Sequence, residues 1–349
     1  MIVDDTLREG MQAPGLAYSR EERLRLAGLI SRAGVRSAIV AYPPAHPSEA
    51  EFTERVVEMR LFREVFGLGR TTVQDAETVF RTGAGIAMHL PFDLGHLDRA
   101  MEAVRYARST GRPVAVAVVN VSEWSLERIV EISKRLDSLG VDIIQLPDTL
   151  GQATPGRMRE VVSAVASSVG ASVEVHCHND RGLAVANTLA GLESGAQRAD
   201  CTIMGIGERN GIADLAAVSD FATRALGSDG LDMDALAEAY RYLASILVSK
   251  VGETFLFDNL PFFGANAQKH TAGTHAAFSG VFRASEFSIN VYAGRAMVEQ
   301  ILASRGIGAS EAEIREVLAR VKDESARRGV CLKVDDVVRI AGDVIGKGH

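Results

Sequence analysis

The chain has 349 residues, of which 47% are hydrophobic and 24% are charged, and its formal net charge is −7. These values are typical of a globular enzyme, and a chain of this length can bury a sizeable core. The acidic balance argues against nucleic acid as a partner. The sequence has no run of about 18 apolar residues and no signal-peptide pattern, so we expect no membrane partner and a cytoplasmic location. The sparse cysteines, Cys177, Cys201 and Cys331, suit a reducing compartment.

Short apolar segments alternate with amphipathic segments over the first two thirds of the chain. The predicted strands are residues 2–4, 37–41, 64–68, 86–90, 114–119, 142–146, 173–176 and 199–204. The predicted helices between them include residues 20–33, 97–109, 125–139, 154–169 and 182–194. Eight consecutive βα units predict an α/β fold of the (β/α)8 TIM-barrel type, with an open doubly wound sheet as the alternative.

This alternation ends at the glycines of residues 227–230. A helical stretch follows, then an irregular segment at residues 255–280, and then helical patterns at 295–305, 310–328 and 333–341. We therefore expect a catalytic barrel at residues 1–250 and a small, mainly helical C-terminal extension at residues 251–349.

His176 and His178 stand two positions apart at the end of an alternating strand pattern. Residues i and i+2 of a strand project to the same face, so both imidazoles can reach one ion. Glu9 offers an anionic oxygen, and two nitrogens with one oxygen leave positions open for substrate or water. The alternative is that the two histidines are simply polar groups at a strand end. Zinc, manganese or magnesium would suit this mixed ligand set.

The remaining polar motifs also follow predicted strands. Arg8 and Glu9 follow the first strand, Asp148 and Thr149 follow the sixth, and a glycine-rich segment at residues 205–211 follows the eighth. The carboxyl ends of all strands meet at one face of a barrel, so these motifs converge on a single active site.

Three motifs together resemble a known superfamily. They are Asp-Thr-Leu-Arg-Glu-Gly-x-Gln at residues 5–12, His-Cys-His-Asn-Asp at 176–180 and Gly-Ile-Gly-Glu-Arg-Asn-Gly-Ile at 205–212. They are similar to those of the DRE-TIM metallolyases, which include isopropylmalate, citramalate and homocitrate synthases and hydroxymethylglutaryl-CoA lyase. The resemblance covers nearly the whole chain. It is specific for the superfamily and weak for the substrate.

The resemblance implies a Claisen-type condensation of acetyl-CoA, the co-substrate, with a 2-oxo acid held at a divalent metal cation. Arg8, beside the metal, would bind substrate and stabilise the developing negative charge. Thr149 would bind the substrate carboxylate, although a threonine after a strand is also typical of a helix cap. Gln12 is expected to support the site or, alternatively, to stabilise a turn. His89 would line the substrate pocket or be an ordinary polar group.

The base that deprotonates the acetyl methyl group is expected in the segment at residues 268–275. His270 and His275 match the histidines of the corresponding family segment, and we assign the base to His275. In the family this segment comes from a neighbouring subunit, which implies a homodimer whose C-terminal subdomain contributes to the active site. The alternative is a histidine in a surface loop. Glu208 and Arg209 are expected to form an ion pair, with catalysis by Glu208 as the alternative.

Two departures from the family pattern bear on the substrate. The second strand, residues 37–41, lacks the glutamate that the superfamily name records, so Arg8 loses its usual carboxylate partner. The fifth strand, residues 114–119, lacks the arginine of homocitrate synthases. A pocket without cations disfavours a second carboxylate, so we expect an oxo acid with an apolar or unusual side chain. A carbon–carbon lyase or aldolase, or a catalytically impaired binding subunit, are the alternatives to a synthase.

Overall fold

The computed structural model describes residues 1–265, 267, 269–270, 286–287 and 289–346, which fall into two compact units, Met1–Leu256 and Phe257–His349. The first unit contains a closed barrel of eight parallel strands in chain order, in which β8 pairs with β1. The strands are β1 Ile2–Asp4, β2 Ser37–Ala41, β3 Glu64–Arg70, β4 Gly85–His89, β5 Val114–Ala117, β6 Ile143–Asp148, β7 Ser172–Cys177 and β8 Arg198–Cys201. The predicted (β/α)8 barrel is therefore confirmed.

Each strand is followed by a helix that covers the outside of the barrel. The helices are α1 Arg20–Arg32, α2 Pro47–Glu58, α3 Val73–Arg81, α4 Leu97–Ser109, α5 Leu126–Ser138, α6 Pro155–Ala166, α7 Ala184–Glu193 and α8 Leu215–Leu226, and α9 Met233–Val251 follows them. Side-chain caps fix several starts: the Ser19 hydroxyl accepts from the Glu22 N–H, and the Thr154 hydroxyl accepts from the Arg157 N–H. Gly227, in the left-handed conformation, ends α8.

The interior of the barrel is divided between apolar and ionic side chains. One buried apolar residue from each of the first six strands forms a cluster: Val3, Ile39, Phe66, Ala87, Ala115 and Ile143. The last two strands contribute Glu174 and Arg198 instead, whose side chains form an ion pair at 2.7 Å. Arg198 also donates to the Ser37 hydroxyl and pairs with Glu64 at 2.9 Å, so this buried cation is fully engaged.

The predicted strand boundaries differ from the structure mainly at carboxyl ends. β5 ends at Ala117 and β8 ends at Cys201, whereas the predicted strands extend two and three residues further. After β8 the chain enters a 3₁₀ turn at Ile203–Gly205, within which Met204 has φ of 58°. A strand cannot continue through this left-handed conformation, although the residues remain buried and apolar.

The second unit contains a pair of two-residue strands and three helices within the part of the chain that the structure describes. These are β9 Lys269–His270, β10 Glu286–Phe287, α10 Arg295–Ser304, α11 Glu311–Arg328 and α12 Val334–Ile345. The three helices enclose their own apolar core, which includes Met297, Ile301, Val317, Val321 and Val337. The mainly helical extension is thus present. No described helix has the length and apolar composition that crossing a bilayer requires.

Candidate active site

The predicted site residues of the barrel lie at the carboxyl ends of its strands. Arg8 directly precedes a short 3₁₀ turn, Glu9–Gln12, that follows β1. His176 is the penultimate residue of β7, and His178 lies just beyond the strand, where it forms a β-bridge with Ile212. This is the face on which the active sites of barrel enzymes are built.

The guanidinium of Arg8 is held by three neighbouring side chains. Its Nε donates to Oδ1 of Asp5 at 2.9 Å, and its Nη2 pairs with Oδ2 of the same carboxylate. Its Nη1 donates to Oε2 of Glu9 at 2.6 Å and to Oε1 of Gln12 at 3.1 Å. Burial alone would lower the pKa of Arg8, but Asp5 and then Glu9 raise it above its ordinary value. Arg8 is therefore a fixed, permanently charged donor.

Arg8 therefore has two carboxylate partners, Asp5 and Glu9, although β2 supplies none. Asp5 takes the position of partner from the end of β1, one residue beyond the strand. Sequence reasoning did not assign a role to Asp5. The available signal was its place two residues after Val3, on the interior face of β1, because a carboxylate there must be buried and therefore paired.

Glu9 is almost completely buried and accepts hydrogen bonds on both oxygens. Oε1 accepts from the backbone N–H of Glu208 at 2.8 Å, and Oε2 accepts from Arg8. Burial opposes ionisation, but the charge of Arg8 together with the Glu208 hydrogen bond lowers the pKa of Glu9. A side chain at Gly207 would place its Cβ 2.8 Å from Oε1 of Glu9, so only glycine leaves room for this carboxylate. Glu9 is therefore an ionised ligand candidate.

The two imidazoles are positioned as ligands of a single ion. Their Nε2 atoms are 3.3 Å apart, and both rings are buried. At this separation both nitrogens would be able to bind one divalent ion. Burial and then the neighbouring His176 lower the pKa of His178 to about 3, and burial also lowers that of His176. Both rings are therefore neutral at neutral pH, the form that binds metal.

A second carboxylate supports the site from β8. Oδ2 of Asp200 is 2.7 Å from Nδ1 of His176, and ligand atoms of Asp5, His176 and Asp200 lie within 4.8 Å of one another. These three residues could hold an ion by proximity alone. However, Arg8 engages both oxygens of Asp5, and Oδ2 of Asp200 engages Nδ1 of His176, whereas Oδ1 of Asp200 is buried without a hydrogen-bond partner among the described residues. Within the described part of the chain, Glu9 does not form an equally close group with His176 and His178. The open nitrogen atoms are the Nε2 atoms that face each other.

His178 differs from His176 in its outer contact. Its Nδ1 is buried and has no hydrogen-bond partner among the described residues, whereas Nδ1 of His176 contacts Asp200. A buried ring nitrogen without a partner is unusual, since buried polar groups are nearly always satisfied. This unpartnered nitrogen indicates that a further group binds beside His178. The two Nε2 atoms lie close enough together to share one ion, so the residues present fit a divalent ion.

The predicted substrate-binding residues lie at the same face of the barrel. The hydroxyl of Thr149 accepts from the backbone N–H of Asn120 at 3.1 Å, which leaves its proton available to donate. Thr149 does not cap a helix; that position belongs to Thr154. His89, at the end of β4, is partly buried, and burial followed by the positive charge of Arg8 lowers its pKa. Gln12 contacts Arg8 directly.

The expected ion pair between Glu208 and Arg209 is present at 3.4 Å, but it is not the main contact of Arg209. Arg209 binds both oxygens of Asp180, at 2.7 and 2.9 Å, and donates to the Thr149 carbonyl at 2.9 Å. It therefore ties the loops after β6, β7 and β8 together, which favours a structural role. His275 lies outside the described residues, and His270 belongs to β9 in the second unit.

Comparison with known proteins places the chain in a family. A family model described as HMGL-like matches residues 1–243. A protein of Methanopyrus kandleri named "Probable 2-isopropylmalate synthase" is 31% identical, with 99% of this chain and 74% of that protein covered. The 2-isopropylmalate synthase of Sulfolobus acidocaldarius is also 31% identical, with 99% and 96% covered.

The fold comparison agrees with this result. The crystal structure of the HMG-CoA lyase from Brucella melitensis superposes with a TM-score of 0.60 at 22% identity, covering 70% of this chain and 97% of that one. At this identity the likeness concerns the fold. The family match, the identity over the full chain and the barrel together establish that the chain belongs to the HMGL-like family of barrel enzymes, the DRE-TIM superfamily that its motifs predicted.

Proposed function

We propose that the protein catalyses a divalent-metal-dependent, Claisen-type condensation of acetyl-CoA with a 2-oxo acid. The observation that carries this proposal is the 3.3 Å approach of the His176 and His178 Nε2 atoms at the barrel face that also carries the ionised Glu9 and the fixed cation Arg8. The relatives named as 2-isopropylmalate synthases, which match the whole chain, support the same reaction class. In this reaction acetyl-CoA, a 2-oxo acid and water give a substituted malate and free CoA.

Glu9, His176 and His178 would hold the divalent ion, and the ion would polarise the ketone of the oxo acid toward attack. The condensation joins the acetyl methyl carbon to that ketone carbon, so negative charge moves onto the ketone oxygen. Arg8 is the preorganised cation beside it, and its plane is fixed by Asp5 and Glu9 before substrate arrives. A donor already oriented toward developing charge lowers the barrier without reorganisation.

Thr149 is proposed to orient the oxo acid. Its hydroxyl oxygen already accepts from Asn120, so its proton points to another acceptor, and a substrate carboxylate supplies one. His89, lying near Arg8 at the end of β4, is proposed to line the same pocket. Because its pKa is lowered, His89 is neutral at neutral pH and adds no second cation.

The base that removes the methyl proton is proposed to be His275, contributed by the partner in a homodimer. No described side chain of the barrel is assigned this step, and the segment of His275 follows the barrel directly in sequence. The proton that the base removes from the methyl group is passed to the alkoxide, which becomes the product hydroxyl. Water then cleaves the thioester to a carboxylate and the free CoA thiol and leaves one proton in solvent, so the residues gain no net charge over a cycle.

We further propose an oxo acid with an apolar or unusual side chain. β5 ends in Ala117, and the residues beyond it lead to Asn120 with no cationic side chain. Asn120 has φ of 63°, and its amide group donates to Glu123 at 2.9 Å, so an acidic group already lies beside it. A distal substrate carboxylate would meet no compensating charge there.

The test is thiol release from acetyl-CoA with a panel of 2-oxo acids in the presence of zinc, manganese or magnesium. We expect release with an oxo acid that bears an apolar side chain, and a rate about 100-fold lower but still measurable in Arg8→Lys, which keeps the charge but not the planar guanidinium. If 2-oxoglutarate were clearly the best substrate, the specificity proposal would be overturned. If no pair released thiol but hydroxyacyl-CoA compounds were cleaved, the protein would be a lyase.

A further inference from the structure

Two buried carboxylates to which the sequence analysis gave no role contact two of the candidate site residues. Asp5 binds Arg8 through both of its oxygens, and Asp200 contacts Nδ1 of His176. Both carboxylates are fully buried, and ligand atoms of Asp5, His176 and Asp200 lie within 4.8 Å of one another. The partner of the candidate catalytic cation and the partner of the candidate metal ligand therefore lie close together in one buried polar cluster.

Asp5 controls the orientation of Arg8 more tightly than one ion pair would. The carboxylate engages Nε and Nη2, the two-pronged geometry that fixes the plane of a guanidinium. Nη1 is then directed to Glu9 and Gln12. Of the five N–H groups of Arg8, four have acceptors within the described part of the chain. The fifth, on Nη2, is left to donate to a bound molecule.

Asp5 also shapes the turn that carries Arg8 and Glu9. Its backbone carbonyl accepts from the N–H groups of Arg8 at 3.1 Å and Glu9 at 2.7 Å, and its Oδ1 accepts from the N–H of Glu9 at 3.3 Å. The side chain thus belongs to the same strand end as the groups it orients. A carboxylate on β2 would have to reach Arg8 from the neighbouring strand.

Asp200 positions the imidazole of His176. Oδ2 of Asp200 contacts Nδ1 of His176 at 2.7 Å, and this contact holds the ring so that Nε2 faces Nε2 of His178. Outer carboxylates of this kind orient histidine ligands and strengthen their binding to metals. Asp200 and Arg198 share one face of β8, and Glu174 and His176 share one face of β7, so the ionic layer of the barrel lies directly below this pair.

We propose that Asp5 and Asp200 are positioning residues, with Asp5 replacing the acid absent from β2 as the partner that orients Arg8, and Asp200 orienting His176. This inference rests on the proposed function for its kinetic consequences only. The contrasting explanation is that two buried carboxylates merely complete the packing and charge balance of the core. The two explanations differ in whether each substitution acts through a specific partner.

The experiment compares Asp5→Asn and Asp200→Asn with Asp4→Asn as the matched control. Asp4 is equally buried at the end of β1, but it accepts from Thr6 and does not contact the site. For Asp5→Asn we expect kcat to fall about 100-fold with KM for the oxo acid and the Mn²⁺ dissociation constant changed less than about threefold. For Asp200→Asn we expect Mn²⁺ binding to weaken about 10- to 100-fold. Asp4→Asn should change none of these more than about threefold.

A double-mutant cycle tests whether Asp5 acts through Arg8. In an Arg8→Lys background the Asp5→Asn change should lower kcat less than about threefold, because lysine lacks the planar guanidinium that Asp5 orients. A full, additive loss in that background would overturn the positioning role. So would an equal loss in Asp4→Asn, since that would indicate a general effect of removing a buried carboxylate.

Two measurements remain informative if the wild-type protein releases no thiol at all, which would refute the proposed function. Mn²⁺ titration followed by electron paramagnetic resonance tests Asp200 without any substrate. In metal-free protein, the Nε–H resonance of Arg8 should be protected from exchange and disappear in Asp5→Asn and Arg8→Lys but not in Asp4→Asn. Unchanged Mn²⁺ affinity in Asp200→Asn, or an unchanged Arg8 resonance in Asp5→Asn, would overturn the respective half. If Asp5→Asn does not fold, Asp5→Thr serves as the second variant.

Discussion

The Nε of Arg23 donates to the carbonyl of Leu7 at 3.1 Å and so holds the backbone immediately before Arg8. The same buried guanidinium donates to the carbonyl of Val40 at 2.7 Å and to both oxygens of Glu49 at 2.6 and 2.9 Å. One side chain on α1 thereby ties the end of β1 to the end of β2 and to α2. The precision of the Arg8 turn depends on a residue that does not touch the site.

Replacing Arg23 with alanine should destabilise the protein by about 3 kcal/mol, because it leaves two carbonyls and Glu49 without their buried partner. Urea denaturation would measure this loss. Arg55→Ala provides the control, since its ion pair with Glu58 is exposed on both sides and should cost less than about 1 kcal/mol. Equal effects of the two substitutions would contradict the assigned role of Arg23.

Removing one imidazole should abolish tight metal binding. His178→Ala is expected to weaken Mn²⁺ binding by about 100-fold or more and to remove the rise in thermal unfolding temperature that Mn²⁺ gives to the wild type. His96→Ala, which removes an exposed histidine, should leave both properties unchanged. Retention of the Mn²⁺ effect in His178→Ala would show that the ion is held elsewhere.

Thr149 provides a test of substrate orientation. Thr149→Ala should raise KM for the oxo acid about 10-fold or more, the value of one hydrogen bond to a charged group, while Thr149→Ser should stay within about threefold. Thr154→Ala is the matched control, because loss of a helix cap lowers stability by about 1 kcal/mol without changing KM. A KM unchanged in Thr149→Ala would remove this residue from the pocket.

The pH dependence of stability should include a contribution from Asp214, the cap of α8, whose carboxylate accepts from Tyr240 at 2.8 Å. Burial raises the pKa of Asp214 to about 6. A carboxyl with a raised pKa binds more protons folded than unfolded, so its contribution becomes more favourable as pH falls from 7 toward 4. Relative to Asp214→Asn, the wild type should gain about 1 kcal/mol between pH 7 and pH 5. A difference independent of pH would contradict this raised pKa.

Much of the barrel could be predicted because its information is local. Runs of apolar residues separated by amphipathic helices specify eight βα units, and strand ends then bring Arg8, Glu9, His176 and His178 to one face. The motifs single out these residues because a metal site requires particular ligand atoms, and few residue types supply them. Local pattern failed near residue 204, where buried apolar residues leave the strand through a left-handed turn.

The supporting contacts could not be predicted in the same way. Asp5 and Asp200 lie at opposite ends of the barrel sequence and become neighbours only when β8 closes against β1. A single acidic residue in a short strand carries no sign of the partner that will neutralise it. The requirement for glycine at position 207 is equally non-local, since it comes from the carboxylate of Glu9 that passes 2.8 Å from its missing Cβ.

The barrel interior is charged at β7 and β8 and mainly apolar elsewhere, and this difference limits which interior residues can be substituted. Charged side chains of β7 and β8, together with Glu64 of β3, compensate one another beside His176, so altering any one of them disturbs several others. The remaining strands present mostly small or aliphatic groups that can be exchanged singly at modest cost. Substitutions on the apolar strands can therefore adapt the barrel to molecules of different shape, while the charged groups of β7 and β8 stay unchanged.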